Sequence, residues 1–194
     1  MRIVAGKYRG RPLQAPQGKS TRPTTDRIRE AIMSSLLSDF GDLEGLRVLD
    51  VFAGSGAFGL ECLSRGVQSV QAFETDLKAQ RCIESNKKAL GITNQEYCLI
   101  KRDVFNSLHN LYKTFDIVFF DPPYDTDLLM IIDCISAISN EQALSEDAVI
   151  IYEQAKSNQI ERNKEAQEAL QKAGFEVYKH KKYGTSVVDY IRKA

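Results

Sequence analysis

Four acidic side chains have the clearest chemical potential in this sequence, because each of them follows a short apolar segment. They are Asp50, Glu74, Asp103 and Asp121. If the apolar segments are parallel strands, their carboxyl ends meet at one edge of a sheet, where open α/β sheets bind ligands. Any one of these residues could simply cap a helix. Four of them together, with a glycine turn beside the first, favour a binding cleft.

The glycine turn separates an apolar run ending at Asp50 from a helix-like segment beginning at Ala57. Glycines let the backbone approach a ligand closely, and a helix N-terminus offers unpaired N–H groups. Gly54, Gly56 and Gly59 match G-x-G-x-x-G, and Glu74 lies 20 residues after Gly54, as in dinucleotide-binding units. An NAD-dependent oxidoreductase is therefore one interpretation. However, a carboxylate at Asp50 would repel a pyrophosphate and attract a cofactor that carries a cation and an ammonium group.

The tetrapeptide Asp121-Pro122-Pro123-Tyr124 follows the fourth apolar segment. Prolines there fix the backbone and leave carbonyl groups without local N–H partners. The Asp121 carboxylate beside the Pro122 carbonyl could hold a planar –NH₂ group and stabilise the positive charge that develops on it. The ring of Tyr124 could stack on the base that carries this amine, once the base is extruded. The tetrapeptide thus predicts chemistry at an amine nitrogen.

Both motifs resemble those of known enzymes. The segment 50–56, D-V-F-A-G-S-G, resembles the first motif of class I S-adenosylmethionine-dependent methyltransferases. The segment 121–124 is similar to the [D/N]-P-P-[Y/F] motif of methyltransferases that act on exocyclic or amide nitrogens. Together with segments 2–11 and 22–30, these motifs resemble the bacterial RsmD family nearly end to end. That resemblance implies methylation of the exocyclic amine of a guanine in small-subunit (16S) ribosomal RNA.

The cofactor would then be S-adenosyl-L-methionine, and its predicted contacts follow from the chemistry of the strand ends. Glu74 would accept the ribose hydroxyls, Asp103 and the Val104 N–H would bind the adenine, and Asp50 would orient the methionine end. The resemblance implies that segment 22–27 lies over the cofactor or the entering base. The predicted cofactor-binding residues are Asp50, Ala53, Gly54, Ser55, Gly56, Glu74, Asp103, Val104, Thr24 and Thr25. The predicted catalytic residues are Asp121, Pro122, Pro123 and Tyr124.

Alternating strands and helices must position these residues. Strands are predicted at 46–50, 69–73, 97–101, 116–121 and 148–152, and helices at 57–63, 76–90, 104–112, 127–139 and 160–173. This alternation is the signature of a parallel α/β sheet. The final runs, 175–181 and 187–191, are joined by a turn too short for a helix, so they must pair antiparallel. The resemblance implies a Rossmann-like class I methyltransferase fold, with a mostly parallel seven-stranded sheet and helices on both faces.

Charge is unevenly distributed along a chain whose net charge is zero. Residues 1–30 contain eight lysines and arginines against two acidic residues, so the remainder carries a net charge of −6. A cationic arm on an acidic body favours a polyanionic partner, although a solvated terminus would look similar. The predicted RNA-binding residues are Lys7, Arg9, Arg11, Arg22 and Arg27.

Length and composition predict one substantial core in a chain of 194 residues, 43% hydrophobic and 27% charged. We expect residues 1–40 to form a basic β-hairpin extension and a helix that pack on a compact methyltransferase domain, 41–194. No run resembles a membrane span or a secretory leader, so a cytoplasmic protein is expected. Four scattered cysteines and two isolated histidines favour buried reduced thiols and no metal site. A monomer is the default expectation.

Three further functions compete with an RNA methyltransferase. A DNA adenine amino-methyltransferase uses the same D-P-P-Y chemistry, but such enzymes usually carry an additional target-recognition domain. A protein-glutamine methyltransferase favours asparagine at the position of Asp121. A catalytically silent RNA-binding module would not need an intact tetrapeptide, and turnover would distinguish it.

Overall fold

Seven strands and five α-helices make up the regular structure of this computed structural model, which describes residues 1–16, 26–108, 111, 114–123, 125–155 and 159–194. The strands are β1 (Arg47–Asp50), β2 (Ser69–Phe73), β3 (Tyr97–Ile100), β4 (Phe115–Phe120), β5 (Leu144–Ala155), β6 (Phe175–Tyr183) and β7 (Ser186–Lys193). The helices are α1 (Asp26–Phe40), α2 (Ala57–Ser64), α3 (Leu77–Leu90), α4 (Leu128–Asn140) and α5 (Lys164–Lys172). No helix in these described ranges is long and apolar enough to cross a bilayer.

The strands form one sheet in the order β3-β2-β1-β4-β5-β7-β6. Strand β2 pairs in parallel with β1 and β3, and β4 pairs in parallel with β5. Strand β7 runs antiparallel to both β5 and β6. The predicted fold class, with its antiparallel C-terminal hairpin, is therefore confirmed.

The chain divides into two compact units, Met1–Asp103 and Val104–Ala194. In the first unit, α3 begins after Asp76, whose carboxylate accepts hydrogen bonds from the N–H groups of Lys78 (2.9 Å) and Ala79 (2.8 Å). The helix ends at Gly91, which adopts a left-handed conformation with φ of 71°. These local signals place the helix where the sequence predicts it, because caps satisfy backbone groups that a helix end leaves unpaired.

In the second unit, α4 begins after Asp127 and buries the side chains that the sequence predicts to face inward. They are Leu128, Ile131, Ile132 and Ile135. The helix predicted over 160–173 is interrupted, because Asn163 caps α5 by accepting the N–H of Ala166 at 3.1 Å. A 3-10 turn, Ile160–Arg162, occupies the start of that segment.

Two other predictions need correction. The described part of segment 104–112 begins with a 3-10 helix, Val104–Asn106, rather than an α-helix, since Asn and Ser side chains compete for backbone hydrogen bonds. All four cysteines are free, but Cys82 and Cys98 are only half-buried. Cys98 lies on β3, an edge strand, and is therefore less covered than a residue of a central strand.

Candidate active site

The glycine turn after β1 has the backbone geometry of a ligand-binding loop. Gly54 and Gly56 have φ angles of +53° and +76°, which side chains other than glycine rarely adopt. A Cβ atom at Gly54 would meet no other atom within 4 Å, so the chain leaves open space beside this residue. The turn is held by hydrogen bonds from the Ala53 N–H to the Phe73 carbonyl (3.0 Å) and from the Gly56 N–H to the Ala53 carbonyl (2.7 Å).

Gly59 serves packing instead. A Cβ atom there would lie 2.8 Å from both Tyr97 Cε2 and Val70 Cγ1, so only glycine lets α2 approach the sheet this closely. This approach aims the N-terminus of α2 at the space around the turn. The three glycines of the sequence motif therefore have two different roles.

Asp50 ends β1 as a buried carboxylate that is 1% exposed. Neither of its oxygens has a hydrogen-bond partner among the described residues. Burial raises the pKa of this carboxyl from its ordinary 3.8 to about 7, and the negative charge of Glu74 adds to the shift. The nearby N–H of Gly59 moderates the rise in pKa without reaching hydrogen-bond geometry. Such an uncompensated carboxylate is costly, and a cationic ligand would relieve the cost.

Glu74 lies directly after β2 and is tied to the glycine turn. Its Oε2 accepts the Gly54 N–H at 2.7 Å, and its Oε1 accepts the Asp76 N–H at 2.7 Å. Burial raises the pKa of this carboxyl, while the N–H groups of Asp76, Gly54 and Thr75 oppose the shift. These N–H groups leave part of its acceptor capacity unused, since a carboxylate offers about four acceptor sites in total. The arrangement can therefore accept a further hydroxyl group.

The other predicted cofactor-binding positions differ in exposure. Ser55 is half-buried, its hydroxyl lies 3.6 Å from the Met1 sulfur, and its carbonyl accepts the side-chain amide of Asn86 at 3.3 Å. Asp103 is exposed and Val104 is buried. Thr24 and Thr25 lie outside the described residues. The structure thus brings Asp50, the glycine turn and Glu74 together in the first unit.

The proline-rich segment, which begins at Asp121, follows β4 directly and lies in the second unit. Asp121 is half-buried, Pro122 is buried and Pro123 is exposed. The carbonyl of Pro123 accepts the Thr126 N–H at 3.0 Å, which closes a turn leading towards α4. Asp121 contributes, after burial and Asp189, to raising the pKa of the buried Tyr152 on the adjacent strand. Tyr124 lies outside the described residues.

The N-terminal residues are anchored to α2 by a buried acid that was not predicted to matter. Glu61 is 0% exposed and accepts the N–H groups of Val4 (2.8 Å) and Ala5 (3.1 Å). It also accepts Nε of Arg65 at 2.8 Å and lies 3.5 Å from Nε of the buried Arg29. The only sequence signal for this role is a charged residue within an otherwise apolar helix.

A second anchor joins the same N-terminal segment to the glycine turn. The side chain of Asn86 exchanges two hydrogen bonds with the backbone of Gln14, at 2.8 and 3.0 Å, and also donates to the Ser55 carbonyl. Backbone hydrogen bonds between Ile3 and Arg11 (3.0 Å) and between Leu13 and Met1 (3.1 Å) close a small hairpin. The basic segment is therefore held in a defined position beside the turn.

The predicted RNA-binding residues that the structure describes are all exposed. They are Lys7, Arg9, Arg11 and Arg27. Arg11 also has a structural role, because its guanidinium donates to the Ala89 carbonyl at 2.7 Å, near the end of α3. Lys7 lies over the ring of Tyr8, 5.1 Å from its centroid. Arg22 lies outside the described part of the chain.

The strand order and the glycine turn define the class: this is a class I methyltransferase fold. Residues 1–192 match the family described as Conserved hypothetical protein 95, and the chain belongs to that family, the RsmD type. Ribosomal RNA small subunit methyltransferase D of Escherichia coli is 33% identical over 158 residues, covering 81% of this chain and 76% of that protein.

Two further comparisons agree with this assignment. YlbH of Bacillus subtilis, named as a candidate rRNA methyltransferase, is 38% identical over 156 residues, covering 79% of this chain and 82% of that protein. The solved structure of YhhF from Escherichia coli, described as a candidate methyltransferase, has a TM-score of 0.79 and 28% identity. That match covers 100% of this chain and 97% of the other.

Proposed function

We propose that this protein transfers a methyl group from S-adenosyl-L-methionine to the exocyclic amine of a guanine in small-subunit ribosomal RNA. The observation that carries the proposal is the uncompensated carboxylate of Asp50 beside a glycine turn, in a chain of the RsmD family. The relatives named above as ribosomal RNA methyltransferases supply the substrate class. We further propose that the protein acts as a cytoplasmic monomer on RNA within a ribosomal particle.

The described residues around the turn fit this cofactor better than a dinucleotide. Asp50 would attract a positively charged amino acid group, whereas a pyrophosphate would meet a buried negative charge. The remaining acceptor capacity of Glu74 suits a ribose hydroxyl. The open space beside Gly54 lets a ligand approach the backbone. When bound, S-adenosylmethionine supplies an electrophilic methyl group.

The proline-rich segment would hold the acceptor amine. The Asp121 carboxylate and the Pro122 carbonyl would accept hydrogen bonds from the –NH₂ group, fix its orientation and stabilise the positive charge that develops on nitrogen. Tyr124 would stack on the guanine. No strong general base is needed, because the nitrogen can release a proton to water after transfer. The Ala53–Gly56 turn, Asp103, Val104, Thr24 and Thr25 would complete the cofactor contacts.

RNA would be held by the exposed basic residues of the N-terminal hairpin and of α1. Lys7, Arg9 and Arg27 would contact phosphates, and Arg11 and Arg22 would join them. Because Glu61 and Asn86 fix the hairpin, these contacts would also orient the RNA rather than only attract it.

The test is methyl transfer from labelled S-adenosylmethionine to ribosomal particles that lack the modification, with duplex DNA in parallel. Label in the guanosine amine is expected after digestion to nucleosides. Label in DNA adenine would instead identify a DNA adenine methyltransferase. Absence of any label, with the cofactor still bound, would indicate a binding module.

Asp121→Ala should lower turnover by about a hundredfold or more and leave cofactor affinity within a few-fold, because it removes contacts strengthened in the transition state. Asp125→Ala removes another acidic side chain, an exposed one four residues later, and should leave both quantities nearly unchanged. An equal loss of cofactor binding in Asp121→Ala would contradict the proposed role of Asp121.

A further inference from the structure

A second basic surface lies on one face of the C-terminal hairpin, far in sequence from the N-terminal arm. It consists of the half-buried side chains of Tyr178, Lys179 and Lys181 and the exposed Arg192, packed on the fully buried ring of Tyr190, and is here called the basic hairpin face. Nζ of Lys179 lies 5.3 Å from the ring centroid of Tyr178 and 5.0 Å from that of Tyr190. Nζ of Lys181 lies 5.9 Å from the Tyr190 ring, and the Arg192 guanidinium lies 4.9 Å from the Tyr178 ring.

The strand register explains why these residues gather on one side. Lys179 pairs with Tyr190, and Lys181 pairs with Val188, so both lysines project from the same face of the antiparallel pair. A bulge between Val177 and Lys179 adds Tyr178 to the cluster. The opposite face of β6 lies near α5, where Phe175, Val177 and Leu170 line a cavity of about 390 Å³ together with polar residues that include His180 and Glu161. The two faces of the hairpin therefore differ in chemistry.

The same register places the hairpin level with the proline-rich segment of the second unit. Phe120 pairs with Tyr152, Tyr152 pairs with Asp189, and Asp189 pairs with His180. His180, between the two lysines, is thus three strand spacings from the residue before Asp121, or about 14 Å. An RNA whose target base binds at Asp121 would extend past β6 if its backbone ran across the strands.

Charge favours a polyanion as the occupant. The basic hairpin face carries three cations, Lys179, Lys181 and Arg192, against one acid, Glu176, which pairs with Arg192 at 2.8 Å. Segment 175–193 as a whole contains five lysines and arginines against two acidic residues, while the whole chain is neutral. One of the two acids, Asp189, is fully buried and hydrogen-bonded to His180 at 2.5 Å, so it contributes little to the outer surface. Ammonium groups held over aromatic rings are also pre-positioned, which reduces the entropy lost when they meet phosphates.

We infer that the basic hairpin face is a second RNA-binding surface, which contacts the phosphate backbone of the substrate beside the target nucleotide. The inference rests on the proposed function, because the RNA that would bind this face is the same RNA that carries the methylated guanine. Lysines on an edge strand can also serve to prevent strand pairing between molecules, and that role would leave RNA affinity unchanged.

The experiment measures binding of a naked small-subunit rRNA fragment to the full chain by fluorescence anisotropy across a salt series. The variant Lys179→Gln/Lys181→Gln keeps long side chains and removes two positive charges. Its affinity should fall about 10- to 100-fold near 0.1 M salt, and the slope of log affinity against log salt should lose about 1.4 to 1.8. Lys179→Arg/Lys181→Arg should retain affinity, because arginine keeps the charge and stacks on aromatic rings.

Lys164→Gln/Lys172→Gln is the matched control, since it removes two exposed lysines from α5 in the same unit. Urea unfolding followed by circular dichroism verifies that every variant is folded. An unchanged salt slope in the Gln variant would overturn the inference. So would lost activity on ribosomal particles with unchanged binding of naked RNA, which would identify a protein-binding surface. If the Gln variant has a reduced salt slope but the wild-type protein methylates no RNA, the RNA-binding surface would be supported and the proposed reaction overturned.

Discussion

The buried carboxyl group of Asp50 makes the stability of the ligand-free protein depend on pH in a defined direction. Its pKa rises from 3.8 to about 7 on folding, because burial disfavours the charged form. The folded protein therefore binds this proton more tightly than the unfolded chain does. The free energy of unfolding contributed by this group must fall as pH rises from about 4 to about 7. The shift corresponds to about 4 kcal/mol.

Asp50→Asn removes this ionisation while keeping the shape of the side chain. The new amide is itself buried and costs about 1–3 kcal/mol if its donors find no partners, but that cost is the same at every pH. Between pH 5 and pH 7 the wild-type protein loses about 1.4 kcal/mol per pH unit from Asp50, and above pH 7 it loses no more. The free energy of unfolding of Asp50→Asn, relative to that of the wild type, should therefore increase by about 3 kcal/mol between pH 5 and pH 8.

Urea unfolding at pH 5, 6, 7 and 8 measures this shift directly. Asp133→Asn serves as control, because it removes an exposed carboxylate from α4; its stability difference from wild type should not follow this trend. Calorimetric titration with S-adenosylmethionine should show weaker binding by Asp50→Asn, even where the variant is the more stable protein. A stability difference independent of pH would refute the argument that burial raises the pKa of the Asp50 carboxyl group.

Two substitutions test how the N-terminal hairpin is anchored. Gly6→Ala should destabilise the protein by about 1–3 kcal/mol more than Gly10→Ala in thermal unfolding. Both glycines have φ near +80°, so the backbone strain is alike in the two variants. However, a Cβ atom at Gly6 would lie 1.8 Å from the Ser64 carbonyl oxygen, whereas one at Gly10 would meet nothing within 4 Å. Equal losses would show that the close approach to Ser64 is unimportant. Glu61→Gln should lower the free energy of unfolding in urea by about 1–3 kcal/mol, because an amide has one acceptor oxygen and cannot accept the N–H groups of both Val4 and Ala5 as the two carboxylate oxygens do. The buried Arg29 keeps its ion pair with Asp26 at 2.9 Å in this variant. A loss under about 0.5 kcal/mol would contradict an anchoring role for Glu61.

Elements with local signals were predictable from the sequence. Strand β2 has the predicted bounds, 69–73, because a short run with Val70, Ala72 and Phe73 ends at the acidic Glu74. Helix α3 follows Asp76 and stops at Gly91, and both caps are visible as residue types. The antiparallel hairpin of β6 and β7 followed from the length of one turn. The caps of α3 and the turn of the hairpin join residues close together in the chain, whereas β2 pairs with distant strands and only its bounds were visible in its own residue types.

Long-range polar contacts were not predictable in the same way. Glu61 binds backbone groups 56 and 57 residues away, and Asn86 binds Gln14 from a distance of 72 residues. Periodicity describes which face of a helix is apolar, and it carries no information about the partner of a polar side chain buried on that face. The anchoring of the hairpin therefore emerged only from the three-dimensional arrangement.

The motif spacing identifies the position of Glu74, but it does not reveal that the Glu74 carboxylate also holds the glycine turn. The spacing from Gly54 predicts that Glu74 binds a ribose, yet both of its oxygens accept backbone N–H groups, one of them from Gly54 itself. The same carboxylate would thus shape the turn and bind the ligand. Its negative charge also adds to the raised pKa of Asp50. A cationic ligand beside Asp50 would therefore stabilise the ionised forms of both groups, which links the two predicted contacts electrostatically.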